Sequence, residues 1–161
     1  MYANDGFREL DRQECLALLA TVPVGRIVYT RLALPAVLPV NFCLDRDGAM
    51  VVHTSASSEL AGAIDGAVVA LEADDVDAAA HSGWSVVAMG LATLVTDPVE
   101  RARLLRTGPR SWAPAPQEVF VRIAQGLVTG RELVGGHGLP GRTVRTGADG
   151  LRRGPNSPAP R

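Results

Sequence analysis

Six short runs of apolar and β-branched residues, each bounded by turn-forming residues, constrain the fold of this chain more than any other feature. They cover residues 25–30, 36–44, 49–54, 68–72, 84–96 and 119–129. Branched and aromatic side chains favour extended backbone, and the segment DRDG at 45–48 is a strong hairpin turn. Regular alternation of strand and helix, typical of a doubly wound sheet, is missing. The pattern predicts a mainly β fold, a six-stranded antiparallel β-barrel with a few short helices at its ends.

Three features of these runs predict departures from regular pairing. Pro39 has no backbone N–H to donate to a ladder, so it implies an edge, a bulge or a gap in pairing. Gly90 lies inside the longest run and indicates a bulge or a close approach of another segment. The acidic segment 74–77 is predicted to be a loop that follows the fourth strand.

Three short helices are predicted from polar capping residues that precede apolar periodicity. The helices cover residues 11–20, residues 58–64 and a segment that starts with Pro98. Their capping residues are Asp11, then Ser57 or Ser58, then Asp97. On the third helix, Leu104 and Leu105 are expected to pack inward. The exposed side of the same helix is expected to carry Arg101, Arg103 and Arg106.

The composition limits the chemistry of this chain. All 16 basic residues are arginine, which excludes Schiff-base catalysis and a P-loop lysine because each needs a primary amine. A formal net charge of −1 argues against nucleic-acid binding by the folded domain, which would need a basic surface. With only two cysteines, Cys15 and Cys43, a disulfide framework has no support, and both are interpreted as reduced core residues.

The 161 residues are predicted to form one folded domain and a tail. The domain covers residues 1–134, and residues 135–161 form a Gly/Pro/Arg-rich segment that is predicted to be disordered. The tail is interpreted as a solvated extension with no function. The alternative is that it contacts nucleic acid or the acidic face of the domain. The polar N-terminus and the absence of a bilayer-length apolar run predict a cytoplasmic protein with no membrane partner.

The segment HTSASSEL, residues 53–60, has the form of a phosphate cradle. Four hydroxyl side chains stand between a predicted strand and a predicted helix start, where backbone N–H groups are unpaired and favour an anion: Thr54, Ser55, Ser57 and Ser58. The segment contains no arginine or lysine, and Glu59 adds a negative charge. Three interpretations stay open: a working phosphate site, an altered one, or only a capped turn.

The order of eight segments along the chain resembles one protein family. The segments are 14–19, 24–27, 38–42, 53–60, 83–87, 95–98, 121–123 and 129–131, and together they span residues 10–133. They resemble the FMN-binding split-barrel proteins related to pyridoxamine 5′-phosphate oxidase, especially the small actinobacterial-type members. The resemblance implies a six-stranded antiparallel split β-barrel that forms a homodimer with the flavin at the interface.

The resemblance also implies a set of cofactor-binding residues. Val40, Asn41 and Phe42 would line the isoalloxazine ring, and Trp84 and Ser85 match a segment that lies near the cofactor. Thr54 and Ser58 match the phosphate segment, with Ser57 between them. Two residues depart from the family pattern: His53 stands where arginine is usual, and Glu59 stands where lysine is usual.

These departures leave two functions open. The first is a flavin-dependent oxidoreductase, using FMN or the deazaflavin F420, that acts on an unknown small molecule. A protonated His53, Arg26 or Arg131 would then hold the phosphate. The alternative is a non-enzymatic ligand-binding or regulatory protein that has lost its phosphate clamp and binds no cofactor. No catalytic residue is assigned, and no metal site is expected, since the spacing of Asp74, Asp75, Asp77 and His81 fits no familiar site.

Overall fold

Antiparallel pairing of six strands closes a barrel in the computed structural model, which describes residues 6–112 and 117–133. The elements are β1 (Arg8–Leu10), α1 (Arg12–Leu19), β2 (Val24–Arg31), β3 (Leu34–Leu44), β4 (Met50–Ser55), α2 (Glu59–Ile64), β5 (Val68–Asp77), β6 (Ser82–Leu94), α3 (Pro98–Thr107), β7 (Glu118–Ile123) and β8 (Val128–Leu133). The barrel order is β6-β5-β2-β3-β4-β7, and β7 pairs back onto β6. Strands β8 and β1 extend the sheet from β6. The predicted six-stranded split barrel is therefore confirmed.

Three details of the predicted strands are wrong. The acidic segment 74–77 is not a loop, because it continues β5 and pairs with β6 from Asp74 opposite Ser85 to Asp77 opposite Ser82. The run at 119–129 is two strands, because β7 ends at Ile123 and β8 begins at Val128. Strand β1 was missed, since its three residues are too few to show a period.

Gly90 lies where β6 changes its partner. Ala88 pairs with Val128 on β8, whereas Ala92 pairs with Ile123 on β7. The chain between these two partners crosses so close to β6 that a Cβ built on Gly90 would lie 1.8 Å from the carbonyl oxygen of Ala124. The close approach expected at Gly90 is confirmed.

The predicted helix caps are also present. Asp11 and Glu14 form the capping box of α1, Ser58 caps α2, and Asp97 caps α3. Helices α1 and α2 pack against the barrel interior through Cys15, Leu19, Leu60 and Ile64. Neither Cys15 nor Cys43 forms a disulfide.

Helix α3 covers a second, smaller apolar cluster made of Val51, Leu104 and Phe120. Leu104 is 2% exposed, but the expectation that Leu105 also packs inward is wrong, since Leu105 is 65% exposed. Successive helical residues point about 100° apart, so only one of the two leucines can face the sheet. The expectation that Arg103 faces solvent is wrong as well, because its guanidinium is half-buried against Asp45.

Asp45 joins the β3–β4 hairpin to α3 and β7. Its carboxylate accepts hydrogen bonds from Arg103 at 2.9 and 2.6 Å and from Arg122 at 2.5 Å, and its side chain is 9% exposed. Arg122 also pairs with Asp47. The hydrogen bonds from Arg103 and then from Arg122 hold the pKa of Asp45 well below its usual range. Arg122 is thus paired with two carboxylates of its own chain.

Within residues 6–112 and 117–133, no helix is long and apolar enough to cross a membrane. The predicted disordered tail, residues 135–161, lies outside the described residues.

Candidate functional site

His53 on β4 is a buried imidazole whose two ring nitrogens make no hydrogen bond with any described residue. Its side chain is 5% exposed, and its ring stacks on Phe120 with centroids 4.6 Å apart. The nearest opposite charge is Glu118, whose Oε2 lies 3.3 Å from Nε2 without hydrogen-bond geometry. Buried polar atoms almost always have a partner, and an unpaired one costs free energy. This orphaned ring is therefore the strongest indication of a ligand site.

Asn41 on β3 is the cross-strand partner of His53, so the two side chains share the outer face of the barrel. Its side-chain oxygen accepts a hydrogen bond from the backbone N–H of Trp112 at 3.3 Å. The Trp112 side chain is 72% exposed. This contact joins the α3–β7 connection to the site, and sequence reasoning missed it because the two residues lie 71 positions apart.

Val40 and Phe42 flank Asn41 on β3, and their side chains point into the barrel core. Successive side chains of a strand point to opposite faces, so the two neighbours of the outward-facing Asn41 must point inward. A ligand on the outer face can reach these two residues only through their backbone. Among the described residues, β3 pairs with β4 only from Asn41 to Leu44, so residues 34–40 have no strand partner on that side. The edge that Pro39 implied is confirmed.

The four hydroxyl residues of the segment 53–60, here called the hydroxyl turn, bond mainly to one another. Thr54 and Ser58 are joined at 3.1 Å, and Ser55 and Ser57 at 2.9 Å. Ser58 also accepts the N–H of Ala61 as the cap of α2. The predicted cap at Ser58 is therefore present, and an anion would have to compete with these contacts within the chain.

The charges around the hydroxyl turn differ from those that the sequence suggested. Glu59 pairs with Arg31 at 2.9 Å. Arg26 is held by Glu72 and Asp74 on β5, at 3.0 Å each, and Arg131 stands over the ring of Phe7. Neither Arg26 nor Arg131 reaches the turn. Arg31 lies beside the turn instead, and Arg101 donates a hydrogen bond at 3.1 Å to the carbonyl oxygen of Glu118, the cross-strand partner of Ser55. No local pattern marks Arg31, because its partner lies 28 positions along the chain.

Trp84 and Ser85 do not join the other predicted site residues within one chain. They lie on the half of β6 that pairs with β5 and β8, and strands β5, β2 and β3 separate it from β4. Both residues line a separate cavity of about 600 Å³. Within one chain the predicted residues therefore fall into two groups, one around His53 and one around Trp84.

No group of three or more His, Cys, Asp or Glu side chains in the described parts of the chain could hold a metal ion. This includes the acidic segment 74–77 and His81.

A family model described as pyridoxamine 5′-phosphate oxidase matches residues 11–132. The chain belongs to this family. The match covers the whole barrel, from the cap of α1 to β8, and confirms the resemblance that the sequence suggested.

Members from actinobacteria are similar in sequence and in structure. Uncharacterized protein Rv0080 of Mycobacterium tuberculosis is 44% identical over 131 residues, which cover 78% of this chain and 85% of that protein. The structure of the FAD binding protein from Mycobacterium smegmatis has a TM-score of 0.70 and 31% identity, covering 80% of this chain and 100% of that one. A conserved protein of unknown function from Corynebacterium diphtheriae has a TM-score of 0.69 and 32% identity, covering 81% and 100%.

Proposed function

We propose that this member of the family is a flavin-dependent oxidoreductase that acts on a small molecule. The observation that carries the proposal is the orphaned imidazole of His53, which lies in the segment that resembles the family's phosphate cradle. The similar FAD binding protein of M. smegmatis supports a flavin as the ligand.

The residues around His53 fit a flavin in chemical type. An imidazole and the hydroxyls of Thr54 and Ser58 can bind phosphate oxygens, and the amide of Asn41 can bind the polar edge of the ring system. The flavin supplies the hydride or electron transfer, while the protein supplies position and electrostatics. No side chain of this site is assigned a catalytic role.

The charge of the site does not distinguish FMN from FAD. The terminal phosphate of FMN carries between one and two negative charges at neutral pH, and the diphosphate of FAD carries about two. Glu59 pairs with Arg31, and Glu118 lies beside His53, so the acidic side chains oppose either ligand.

We also propose that the protein works as a homodimer in the cytoplasm. Trp84 and Ser85 lie on a different face from His53, so they can meet the ligand of that site only from a second copy. Exposed apolar side chains of the β2–β3 hairpin lie close to the site and would be covered by such a copy: Leu32, Leu34, Val37 and Leu38.

We expect His53→Ala to weaken FAD binding about tenfold or more, because the ligand would lose a hydrogen bond to a buried group worth about 1.5–3 kcal/mol. Titration of the apoprotein, followed by flavin absorption and calorimetry, measures this. Arg46→Ala is the control, since Arg46 is exposed on the β3–β4 turn, at the far end of that strand pair from His53. Equal binding by both variants, or no flavin binding by the natural protein, would contradict the proposal.

The bonding of the hydroxyl turn favours one alternative function, a ligand-binding or regulatory protein without catalysis. Arg31 is tied to Glu59, and the hydroxyls are bonded mainly among themselves, so neither Arg31 nor these hydroxyls are free to bind a phosphate in the described part of the chain. In this case the natural protein would bind little flavin.

We expect Glu59→Gln to raise the affinity for FMN about tenfold, because it releases Arg31 to form a charge-assisted hydrogen bond with the phosphate. The gain should disappear when Arg31→Gln is added, which shows that the effect acts through this guanidinium. Strong flavin binding by the natural protein supports the oxidoreductase. Binding that appears only after Glu59→Gln supports the alternative.

A further inference from the structure

The imidazole of His53 and the carboxylate of Glu118 lie side by side on the neighbouring strands β4 and β7. Oε2 of Glu118 is 3.3 Å from Nε2 of His53, and Nδ1 makes no hydrogen bond with any described residue. The Glu118 side chain is 29% exposed, so a small rotation is enough to complete a hydrogen bond from Nε2. A bond at one ring nitrogen decides the protonation of the other. Glu118 therefore controls what His53 offers to a ligand.

The protonation state of the ring decides whether Nδ1 attracts or repels an anion. A neutral imidazole has one N–H donor and one lone pair. With Glu118 as the acceptor, the single proton lies on Nε2, and Nδ1 presents its lone pair, which repels a phosphate oxygen. The imidazolium has an N–H donor on both nitrogens. Only this charged form can bond to Glu118 and to a phosphate at the same time.

No other charged group takes the place of Glu118. It is the only carboxylate within ion-pairing distance of His53 among the residues that the structure describes. Strand β3 carries the uncharged Asn41 opposite His53, and burial raises the pKa of the nearby Cys43 thiol, which keeps it neutral. The other charged groups of the packed elements have partners of their own: Arg122 of β7 with Asp45 and Asp47, Arg103 of α3 with Asp45 and Glu100, Arg101 of α3 with the carbonyl oxygen of Glu118, and Glu59 of the hydroxyl turn with Arg31.

We propose that an anionic ligand at His53 binds together with one proton, and that Glu118 imposes this requirement. Without ligand, one proton lies on Nε2 and faces Glu118. In the complex, a second proton, taken from the solvent, lies on Nδ1 and is donated to a phosphate oxygen. Affinity therefore falls as the pH rises. Glu118 is a positioning residue that acts through His53, and the inference rests on the proposed flavin function for the identity of the anion.

The first test measures the affinity of the full chain for FAD and for riboflavin between about pH 6 and pH 9, the range in which histidine loses its charge. The two ligands share the isoalloxazine ring, but only FAD has phosphates, and these are diesters whose charge stays constant over this range. We expect the FAD affinity to fall about tenfold per pH unit once His53 is neutral, and the riboflavin affinity to stay constant. Calorimetry in two buffers of different ionisation enthalpy counts the proton taken up.

Two variants separate the role of Glu118 from a general effect of charge. In Glu118→Gln the amide can donate to Nε2, so a neutral ring can carry its proton on Nδ1 and bind a phosphate without proton uptake. We expect its FAD affinity to fall no more than about threefold per pH unit. Glu72→Gln is the matched control, because it removes the same charge from β5, which β2 and β3 separate from β4. It should keep the tenfold dependence, and circular dichroism shows that both variants are folded.

A measurement without ligand tests the pair by itself. Nitrogen-15 NMR of the ligand-free natural protein at about pH 8 reports which ring nitrogen carries the proton, and the signals of His53 are those missing from His53→Gln. We expect the proton on Nε2. This result does not depend on flavin, so a protein that binds no flavin contradicts the proposed function and leaves the test of the pair intact.

Three results would overturn the inference. The ligand-free ring could carry its proton on Nδ1, which would show that Glu118 does not set its state. FAD and riboflavin could have the same pH dependence, which would show that no proton is coupled to the phosphate. Glu118→Gln could keep the tenfold dependence of the natural protein, which would assign the coupling to another group.

Discussion

Gly90→Ala is expected to lower the free energy of unfolding by at least about 3 kcal/mol, or to prevent folding. The new Cβ would lie 1.8 Å from the carbonyl oxygen of Ala124, far inside van der Waals contact. The neighbouring backbone cannot easily move, because Ala124 and Gly126 donate hydrogen bonds to Leu91 and Met89 at 2.9 and 3.1 Å. Overpacking of a core usually costs about 1–3 kcal/mol, and here the obstacle is main chain rather than a flexible side chain.

Urea denaturation of the natural protein and of Gly90→Ala measures the difference in the free energy of unfolding. Gly62→Ala provides the control. Gly62 lies in α2, and a Cβ there would meet no atom within 4 Å. Alanine is the better helix former, so this second change should stabilise the protein by about 0.5–1 kcal/mol. A Gly90→Ala protein as stable as the natural one would show that the crossing between β7 and β8 is not tightly packed against β6.

Asp45→Asn is expected to lower the free energy of unfolding by about 2–3 kcal/mol at neutral pH. The change removes the negative charge that Arg103 and Arg122 share and leaves two guanidiniums close together. Breaking a buried ion pair costs about 3–5 kcal/mol, and the lower figure applies because both arginine side chains are about a quarter exposed, at 26% and 27%.

The destabilisation caused by Asp45→Asn should depend on pH, and the lowered pKa of Asp45 sets the direction of that dependence. A carboxyl whose pKa is lower in the folded state stabilises the fold above its unfolded value of about 3.9, and this stabilisation is lost as the pH falls below that value. The difference between the natural protein and Asp45→Asn should therefore be largest near pH 7 and shrink in acid. Asp75→Asn, at an exposed position of β5, should change stability by less than about 0.5 kcal/mol. A difference that stays constant with pH would show that the ion pair is not its source.

Local patterns predicted most of the fold. The strand runs, the hairpin turn at 45–48 and the caps Asp11, Ser58 and Asp97 are set by neighbours in sequence, and the structure has them. The acidic end of β5 was predicted wrongly, because its conformation is set by a neighbouring strand and not by neighbours in sequence. Its charged residues are poor strand formers, and pairing with β6 overrides that preference.

The candidate site could be predicted only in part. The segment around Asn41 and His53 was found by resemblance, and the structure brings those two residues together as cross-strand partners. Three contacts were not foreseeable: the pairing of Arg31 with Glu59, the hydrogen bond of Trp112 to Asn41, and the position of Arg131 over the Phe7 ring. Each depends on which side chains from distant segments meet.

The amino-acid sequence was sufficient to predict a mainly β barrel with capped helices and to exclude lysine chemistry. These properties follow from residue type and from spacing over a few positions. Which charges are neutralised, the burial of His53 without a hydrogen bond to any described residue, and the place of Trp84 in a cavity away from His53 depend on the tertiary structure. Burial and electrostatic pairing are set by barrel closure, which joins residues such as Asp45 and Arg122 across 77 positions of the chain.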